Sequence, residues 1–221
     1  MAKSLSTLAK QLRRNHGFLL VPSFDAGIRP GSILNARRWN DISRIGHLDD
    51  GLAAAALPAV NGPSVCMLAD FNRTHEMGVD AAMELIRPRA NAKAKFRRAR
   101  EVVARFDSPM IWQMSLFDIE DAVRADSKIW QKAIGRALLE RRTRVVYAVV
   151  RGKLSFMFRG SGELGIDIKG DIGSLRDAGL EPEWKWRNDA TLESKKELTI
   201  AVETARYVER RQAFRPMAAK V

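Results

Sequence analysis

The chain has 221 residues, 46% of them hydrophobic, and its 38 Lys and Arg exceed 26 Asp and Glu to give a formal net charge of +12. This length allows one domain with a hydrophobic core, and the charge favours anionic partners such as nucleic acid or acidic lipid headgroups. The single cysteine excludes an intrachain disulfide, and no stretch approaches the roughly 20 apolar residues of a transmembrane helix. No apolar run near the N-terminus has the length of a signal-peptide core, so we expect a cytosolic protein.

Residues 3–14 predict a short basic amphipathic helix, because apolar residues recur at helical spacing among lysines and arginines. Such a helix can be an ordinary surface helix docked on the core, or it can bind an acidic membrane surface. The candidates for membrane contact are Lys3, Leu5, Leu8, Lys10, Leu12, Arg13 and Arg14.

The next segments alternate short apolar stretches with turn residues. Phe18 to Val21 predicts a short strand, and residues 48–66, rich in small residues, Gly and Pro, predict a loop. Residues 78–86 predict a short helix that ends before Pro88.

Residues 91–106 fit two structures. The apolar positions between Phe96 and Phe106 match one face of a helix and also one face of a strand, but Arg98 and Arg100 break the strand alternation. The pattern alone therefore favours a basic helix here.

Two further helices are predicted in the middle of the chain. Ser115 and Asp118 resemble a capping box that opens a helix through about Arg124. Apolar residues from Trp130 to Leu138 indicate a second amphipathic helix that ends in residues 141–142.

The segment from Lys153 to Lys169 predicts a β-hairpin. Apolar residues alternate with polar ones on both sides of a Gly-Ser-Gly tip, and the preceding residues from Arg144 extend the first strand. The apolar face can remain in a protein core, or it can meet lipid if the hairpin enters a membrane. The hairpin candidates are Leu154, Phe156, Phe158, Gly160, Gly162, Leu164, Ile166 and Ile168.

No enzymatic, metal or cofactor site is expected. His16, His47 and His75 are far apart in sequence and form no metal-binding motif. Residues 160–165 match G-x-G-x-x-G, but the strand alternation continues through Ile168, so the helix that would hold a dinucleotide pyrophosphate is missing.

The C-terminal third is predicted to be mostly β. "EWKWRNDATL" and "LTIAVETARYV" are rich in β-branched and aromatic residues. We expect one domain over residues 1–208 and an exposed basic tail over residues 209–221.

The order of these segments resembles the pore-forming domain of gasdermins, especially the compact bacterial ones. The resemblance is carried by "LLVPSFDAGIRPGSIL", "WNDISRIGHLDDGL", "RVVYAVVRGKLSFMFRGSGELGIDI" and "WKWRNDATLESKKELTIAVETARYV". It implies an α+β fold with a twisted, mainly antiparallel central sheet and flanking helices. It also implies that residues 91–106 form a strand, against the preference of the pattern.

The function implied by this resemblance is a latent pore. The family's domain is held inactive, is released, inserts two hairpins per subunit into the membrane and assembles a large β-barrel that kills the cell, in bacteria as defence against phage. The implied partners are acidic membrane lipids, other copies of the chain, and an activating protease or partner protein. The implied location is the cytoplasm for the latent form and the inner (plasma) membrane for the active form.

Two features differ from the family pattern. Several bacterial members carry a lipid-modified cysteine near the N-terminus, whereas residues 1–4 here contain none, so we expect no acylation there. Many members end in an inhibitory segment removed by a protease, and here only a short tail follows Tyr207. Phe214 and Met217 are the candidates for anchoring that tail as a latch.

Two other functions remain open at this stage. A nucleic-acid-binding protein could use the basic residues between Lys93 and Arg105 on phosphates, and Trp184 or Trp186 for base stacking. No recognisable binding motif supports it, so we do not expect nucleic acid as a partner. The other alternative is a regulatory partner of an active gasdermin that forms no pore.

Overall fold

A computed structural model describes residues 5–21, 27–38, 41–53, 58–68, 71–72, 74–86, 99, 101–159, 184–188 and 191–216. Within these residues the chain forms a large antiparallel sheet and four α-helices, which confirms the predicted α+β class. The helices are α1 (Leu5–His16), α2 (Val79–Ile86), α3 (Leu116–Ala125) and α4 (Ala133–Leu139). Three short 3₁₀ turns cover Leu48–Asp50, Ile129–Gln131 and Glu209–Arg211.

The strands vary widely in length, and the longest is β7 with 17 residues. In chain order they are β1 (Phe18–Leu20), β2 (Ser32–Arg38), β3 (Asp41–His47), β4 (Asn61–Val65), β5 (Thr74–Met77), β6 (Glu101–Gln113), β7 (Thr143–Arg159), β8 (Trp184–Asn188), β9 (Thr191–Ser194), β10 (Leu198–Val208) and β11 (Ala213–Pro216).

Contacts along the chain divide it into two compact units. The first contains Met1–Lys10, Cys66–Pro109 and Gly152–Leu198, and the second contains Gln11–Val65, Met110–Arg151 and Thr199–Val221. The strands β6 and β7 contribute residues to both units.

In the first unit, β5 pairs with β6, and β9 pairs with both β7 and β8, all antiparallel. The register places Phe156 opposite Leu192, and both side chains are fully buried. The Phe156 ring also packs on the Trp184 ring, with 5.5 Å between ring centroids. This apolar layer stabilises the C-terminal part of β7.

In the second unit, β10 pairs with β1 near Val202 and with β11 near Tyr207, while β2 pairs with β3 and with the start of β7. One core cluster gathers residues from these strands, α3, α4 and the loops before them. Its buried members are Ile33, Leu48, Leu52, Met114, Ile119, Val123, Ile129, Ile134, Leu138, Val145, Ala205 and Phe214.

The pattern-based preference for a helix over residues 91–106 is wrong for residues 101–106, which belong to β6. There the backbone pairs with β5, and the register joins Arg105 to Thr74 and Val102 to Met77. The side chains of Val102, Ala104 and Phe106 are buried. The strand implied by the gasdermin resemblance is therefore confirmed for this part, and residues 91–98 and 100 lie outside the described residues.

Three other predictions need correction. Residues 61–65 are a strand rather than a loop, because their backbone pairs with β6 although every side chain is exposed. The single helix predicted from Trp130 to Leu138 is a 3₁₀ turn followed by α4, and the two meet so closely at Gly135 that a Cβ there would clash with the Ile129 carbonyl oxygen. Residues 213–216 pair with β10 as β11 and are not an exposed tail.

The other predicted elements agree with the structure. The basic helix, the strand after it and the helix before Pro88 correspond to α1, β1 and α2. The Ser115 hydroxyl accepts a hydrogen bond from the Asp118 N–H at 3.2 Å, as a helix N-cap does. The strands predicted from Arg144 onward and in the C-terminal third correspond to β7, β8, β9 and β10.

We predict that Phe156→Ala lowers the free energy of unfolding by about 3 to 5 kcal/mol, because it leaves a cavity beside Trp184 and Leu192. Met157→Ala is the matched control, since the Met157 side chain is 45% exposed on the opposite face, and it should cost less than about 1 kcal/mol. Urea denaturation monitored by tryptophan fluorescence measures both. Equal losses for the two variants would contradict the assignment of faces.

Candidate functional site

The C-terminal half of β7 has one fully covered apolar face. Leu154, Phe156 and Phe158 are 0%, 0% and 4% exposed. The Leu154 N–H donates a hydrogen bond to the Ser194 hydroxyl at 3.1 Å, which ties the edge of this strand to β9. The prediction that these three side chains face the core of the resting fold is therefore confirmed.

The other face of the same segment is polar. Lys153 and Arg159 are exposed, and Arg159 forms an ion pair with Glu101 at 3.6 Å. The Ser155 hydroxyl donates a hydrogen bond to Asp107 Oδ2 at 3.0 Å, and it lies 3.4 Å from the Arg105 carbonyl oxygen. Residues 153–159 thus form a strand with one apolar and one polar side.

The remaining hairpin candidates, Gly160, Gly162, Leu164, Ile166 and Ile168, lie outside the described residues. Their strand and tip therefore stay predictions.

The helix α1 presents exposed cations and a buried apolar stripe. Ala9 and Leu12 are 6% and 0% exposed, whereas Lys10, Arg13 and Arg14 are exposed. Leu12, a candidate for membrane contact, is therefore a core residue in this conformation. Lys3 and the side chains of Leu5 and Leu8 lie outside the described residues.

The C-terminal strand β11 is held by an aromatic stack and by polar bonds. The Phe214 ring meets the Tyr207 ring edge to face, with 5.2 Å between centroids, and Tyr207 packs on Trp130 at 4.8 Å. The Phe214 N–H donates a hydrogen bond to Glu120 Oε2 at 2.9 Å, and the Arg124 Nε–H donates one to the Gln212 carbonyl at 3.0 Å. The latch candidate Phe214 is thus an anchor of this segment, and Met217 lies outside the described residues.

Glu203 in β10 is a partly buried acid that no motif in the sequence marks. Burial raises the pKa of the Glu203 carboxyl, against the lowering effects of the hydrogen bond from Tyr147 and of the positive charge of His16. A glutamate within a run of β-branched and apolar residues, "LTIAVETA", was the available signal. Because burial penalises the charged form of the carboxyl, Glu203 destabilises the fold when it is ionised.

The structure also bears on the alternative function of nucleic-acid binding. The Trp184 side chain is 6% exposed and packs on Phe156, so in this conformation it offers no face for base stacking. Arg105 is paired with Asp107 at 3.1 Å. The Trp186 side chain and Lys93 lie outside the description.

The fold that these segments form is similar to that of a solved bacterial gasdermin. The chain is similar to the solved structure of a bacterial gasdermin from Bradyrhizobium tropiciagri, with a TM-score of 0.58 and 13% sequence identity over 94% of this chain and 88% of that chain. No protein-family model matches the chain, and a search of curated proteins gives no significant match. The predicted resemblance to bacterial gasdermins is confirmed at the level of the fold.

The described residues contain neither a membrane-spanning helix nor a cluster of metal-binding side chains. None of the helices there combines the length and the hydropathy needed to cross a bilayer. The histidine, cysteine, aspartate and glutamate side chains of the same residues form no group of three that could bind a metal ion.

We predict that Phe214→Ala destabilises the fold by about 3 kcal/mol and exposes the C-terminal segment, because the aromatic stack loses its outer ring. Phe117→Ala is the control, since this phenylalanine of α3 is 68% exposed, and it should change stability by less than about 1 kcal/mol. Thermal unfolding and the rate of tryptic cleavage after the exposed Arg211 measure the two effects. Unchanged cleavage in Phe214→Ala would contradict the anchoring role.

We predict that Glu203→Gln stabilises the protein at pH 7.5 and gives less benefit at pH 4. A raised carboxyl pKa means that the fold is most stable with Glu203 protonated, and that this contribution is lost as the pH rises through the folded-state pKa. The gain at pH 7.5 should be about 1 kcal/mol or less, because solvent screens a partly exposed group. Exposed Glu197→Gln is the control, and a gain for Glu203→Gln that is independent of pH would be the contrary result.

Proposed function

We propose that this protein is a latent pore former that inserts β-hairpins into a membrane and assembles into a large β-barrel. The proposal rests above all on one observation, the two-sided strand at residues 153–159 within a gasdermin-like fold. Its function would be the one that the resemblance implies, the death of the cell in defence against phage, without enzymatic activity.

The geometry of β7 meets the physical requirements of a spanning strand. A strand that crosses a bilayer needs about 9 to 11 residues with alternating apolar and polar sides. β7 has 17 residues. After insertion, Leu154, Phe156 and Phe158 would face lipid, and Lys153 and Ser155 would face water.

The transfer of the large apolar side chains of β7 from the protein core to lipid changes their free energy little. Leaving the core removes about 1.5 to 3 kcal/mol of apolar burial for each large side chain, and contact with lipid restores a similar amount. The ion pair between Arg159 and Glu101 would be lost on the way. Insertion therefore needs pairing with neighbouring copies, which also closes the open strand edges.

Acidic lipid is the proposed target surface. Lys10, Arg13 and Arg14 of α1 are exposed in the latent fold, and each basic residue near an acidic membrane contributes about 1 kcal/mol. The latent form would be cytoplasmic, and the active form would lie in the inner (plasma) membrane. Because Leu12 is buried, its contact with the membrane would require α1 to leave the core.

The proposed restraint is the C-terminal segment. The contacts of Phe214 with Tyr207 and Glu120 hold β11 on the second unit. A protease that removes the residues after Val208, or a partner protein that displaces them, would uncover the edge of β10 that pairs with β11. An uncovered strand edge is a template for pairing with another chain.

Dye release from liposomes tests the proposal. We expect the chain that ends at Val208 to leak vesicles of acidic lipid much faster than vesicles of neutral lipid, and we expect the full chain to leak little. Absence of leakage from either form on acidic vesicles would contradict pore formation by this chain alone.

Two matched substitutions in the truncated chain test the strand itself. Phe158→Lys places a charge on the proposed lipid face, which costs about 2 to 4 kcal/mol at the bilayer midplane, and should abolish leakage. Met157→Lys lies on the opposite face and should leave most of the leakage. Circular dichroism verifies that both variants fold, and equal leakage by the two would contradict the proposed orientation.

A further inference from the structure

Two arginines lie directly opposite each other in the pairing of β10 with β11. The register joins Arg206 to Arg215 and, one residue further on, Tyr207 to Phe214. Phe214 is a member of the core cluster described above, and Tyr207 packs against that cluster. Because neighbouring residues of a strand point to opposite faces, Arg206 and Arg215 project from the other face of the sheet.

A third arginine joins this face from β7, which neighbours β10 in the sheet. Val145 is a member of the same core cluster as Phe214, so Arg144 projects away from that cluster. The Arg144 guanidinium is partly buried and is repelled by the positive charges of Arg206 and of Arg13 in α1.

These four residues, Arg13, Arg144, Arg206 and Arg215, form what we call the arginine cluster. Opposed like charges destabilise a sheet. In the part of the chain that the structure describes, no carboxylate forms an ion pair with a member of the cluster, and Arg144 donates instead to the carbonyls of Arg141 and Thr143, both at 2.7 Å. Within the described residues, the repulsion is therefore not compensated by any carboxylate.

We infer that the arginine cluster is a binding site for a multivalent phosphate anion. A guanidinium group matches the oxygens of a phosphate with two parallel hydrogen bonds. An anion of charge two or more can neutralise several members at once, which a single carboxylate cannot do. The bound anion would connect α1, β7, β10 and β11, and so would hold the N-terminal helix and the C-terminal strand in place.

This inference goes beyond the proposed function and does not depend on it. The site favours the resting fold, whether or not the protein forms pores. Its ligand would act as an effector of that fold, because an anion that binds only the folded state stabilises it.

Thermal unfolding with tripolyphosphate as the soluble probe tests the site, at an ionic strength matched with sodium chloride so that general screening is equal. At saturation we expect the melting temperature of the full chain to rise by about 5 °C. The rise should be lost in Arg206→Gln and reduced in Arg215→Gln. It should persist in Arg136→Gln, which removes an exposed arginine of α4.

The melting temperature of each variant in chloride alone is the control for folding. In chloride alone, Arg215→Gln should melt at or above the temperature of the unmodified chain, because it relieves the repulsion with Arg206. Loss of the tripolyphosphate effect in a variant of undiminished stability is therefore a loss of binding.

A phosphate-bearing lipid shares the same chemistry, and a second arm tests that source. Flotation with vesicles of phosphatidylcholine, with or without phosphatidic acid, compares the full chain with Arg206→Gln. A response in either arm that depends on Arg206 supports the site and identifies its source as soluble or lipid. Responses in both arms that are the same for Arg206→Gln and Arg136→Gln, or no response in either, would overturn the inference.

Discussion

The fold depends above all on the burial of one side of β7. This strand pairs with β2 at its start and with β9 near its end, so its residues contribute to both compact units. In the first unit the buried Phe156 of its apolar side packs beside Leu192 and Trp184 of the neighbouring strands. The polar side is held by hydrogen bonds and ion pairs that water could replace at little cost. The same alternation that stabilises this fold is the property that a membrane-spanning strand requires.

The C-terminal segment adds a second constraint, which is weaker and local. Its few residues are fixed by the aromatic contacts of Phe214, by the bond to Glu120 and by pairing with β10. Arg206 and Arg215 of the same strands lie opposite each other, and their repulsion weakens the pairing. Because this repulsion opposes the anchoring contacts, it lowers the free energy needed to release the segment.

The sequence was sufficient for elements whose side-chain period is regular. β7 and α1 have clear periods of two and 3.6 residues, and the structure contains both. The start of β6 was harder, because Arg98 and Arg100 break the alternation just before it, so the pattern favoured a basic helix. β4 shows no alternation at all, since all five of its residues are exposed and only backbone pairing defines it.

The candidate functional residues could be predicted only in part. The buried face of β7 follows from alternation, and Phe214 is an isolated aromatic residue in a basic tail. By contrast, the arginine cluster depends on strand register and on the order of β7, β10 and β11, which join residues far apart in sequence. The raised pKa of Glu203 likewise depends on tertiary burial.

The most direct test of the account follows the apolar face of β7 from protein into lipid. An environment-sensitive dye would be attached to Phe158→Cys or to Met157→Cys, each in a Cys66→Ala background of the chain that ends at Val208, and mixed with acidic vesicles that contain nitroxide-labelled lipid. The account predicts strong quenching of the dye at position 158 and little at position 157. Equal quenching at both positions, or none at either while the vesicles leak, would contradict it.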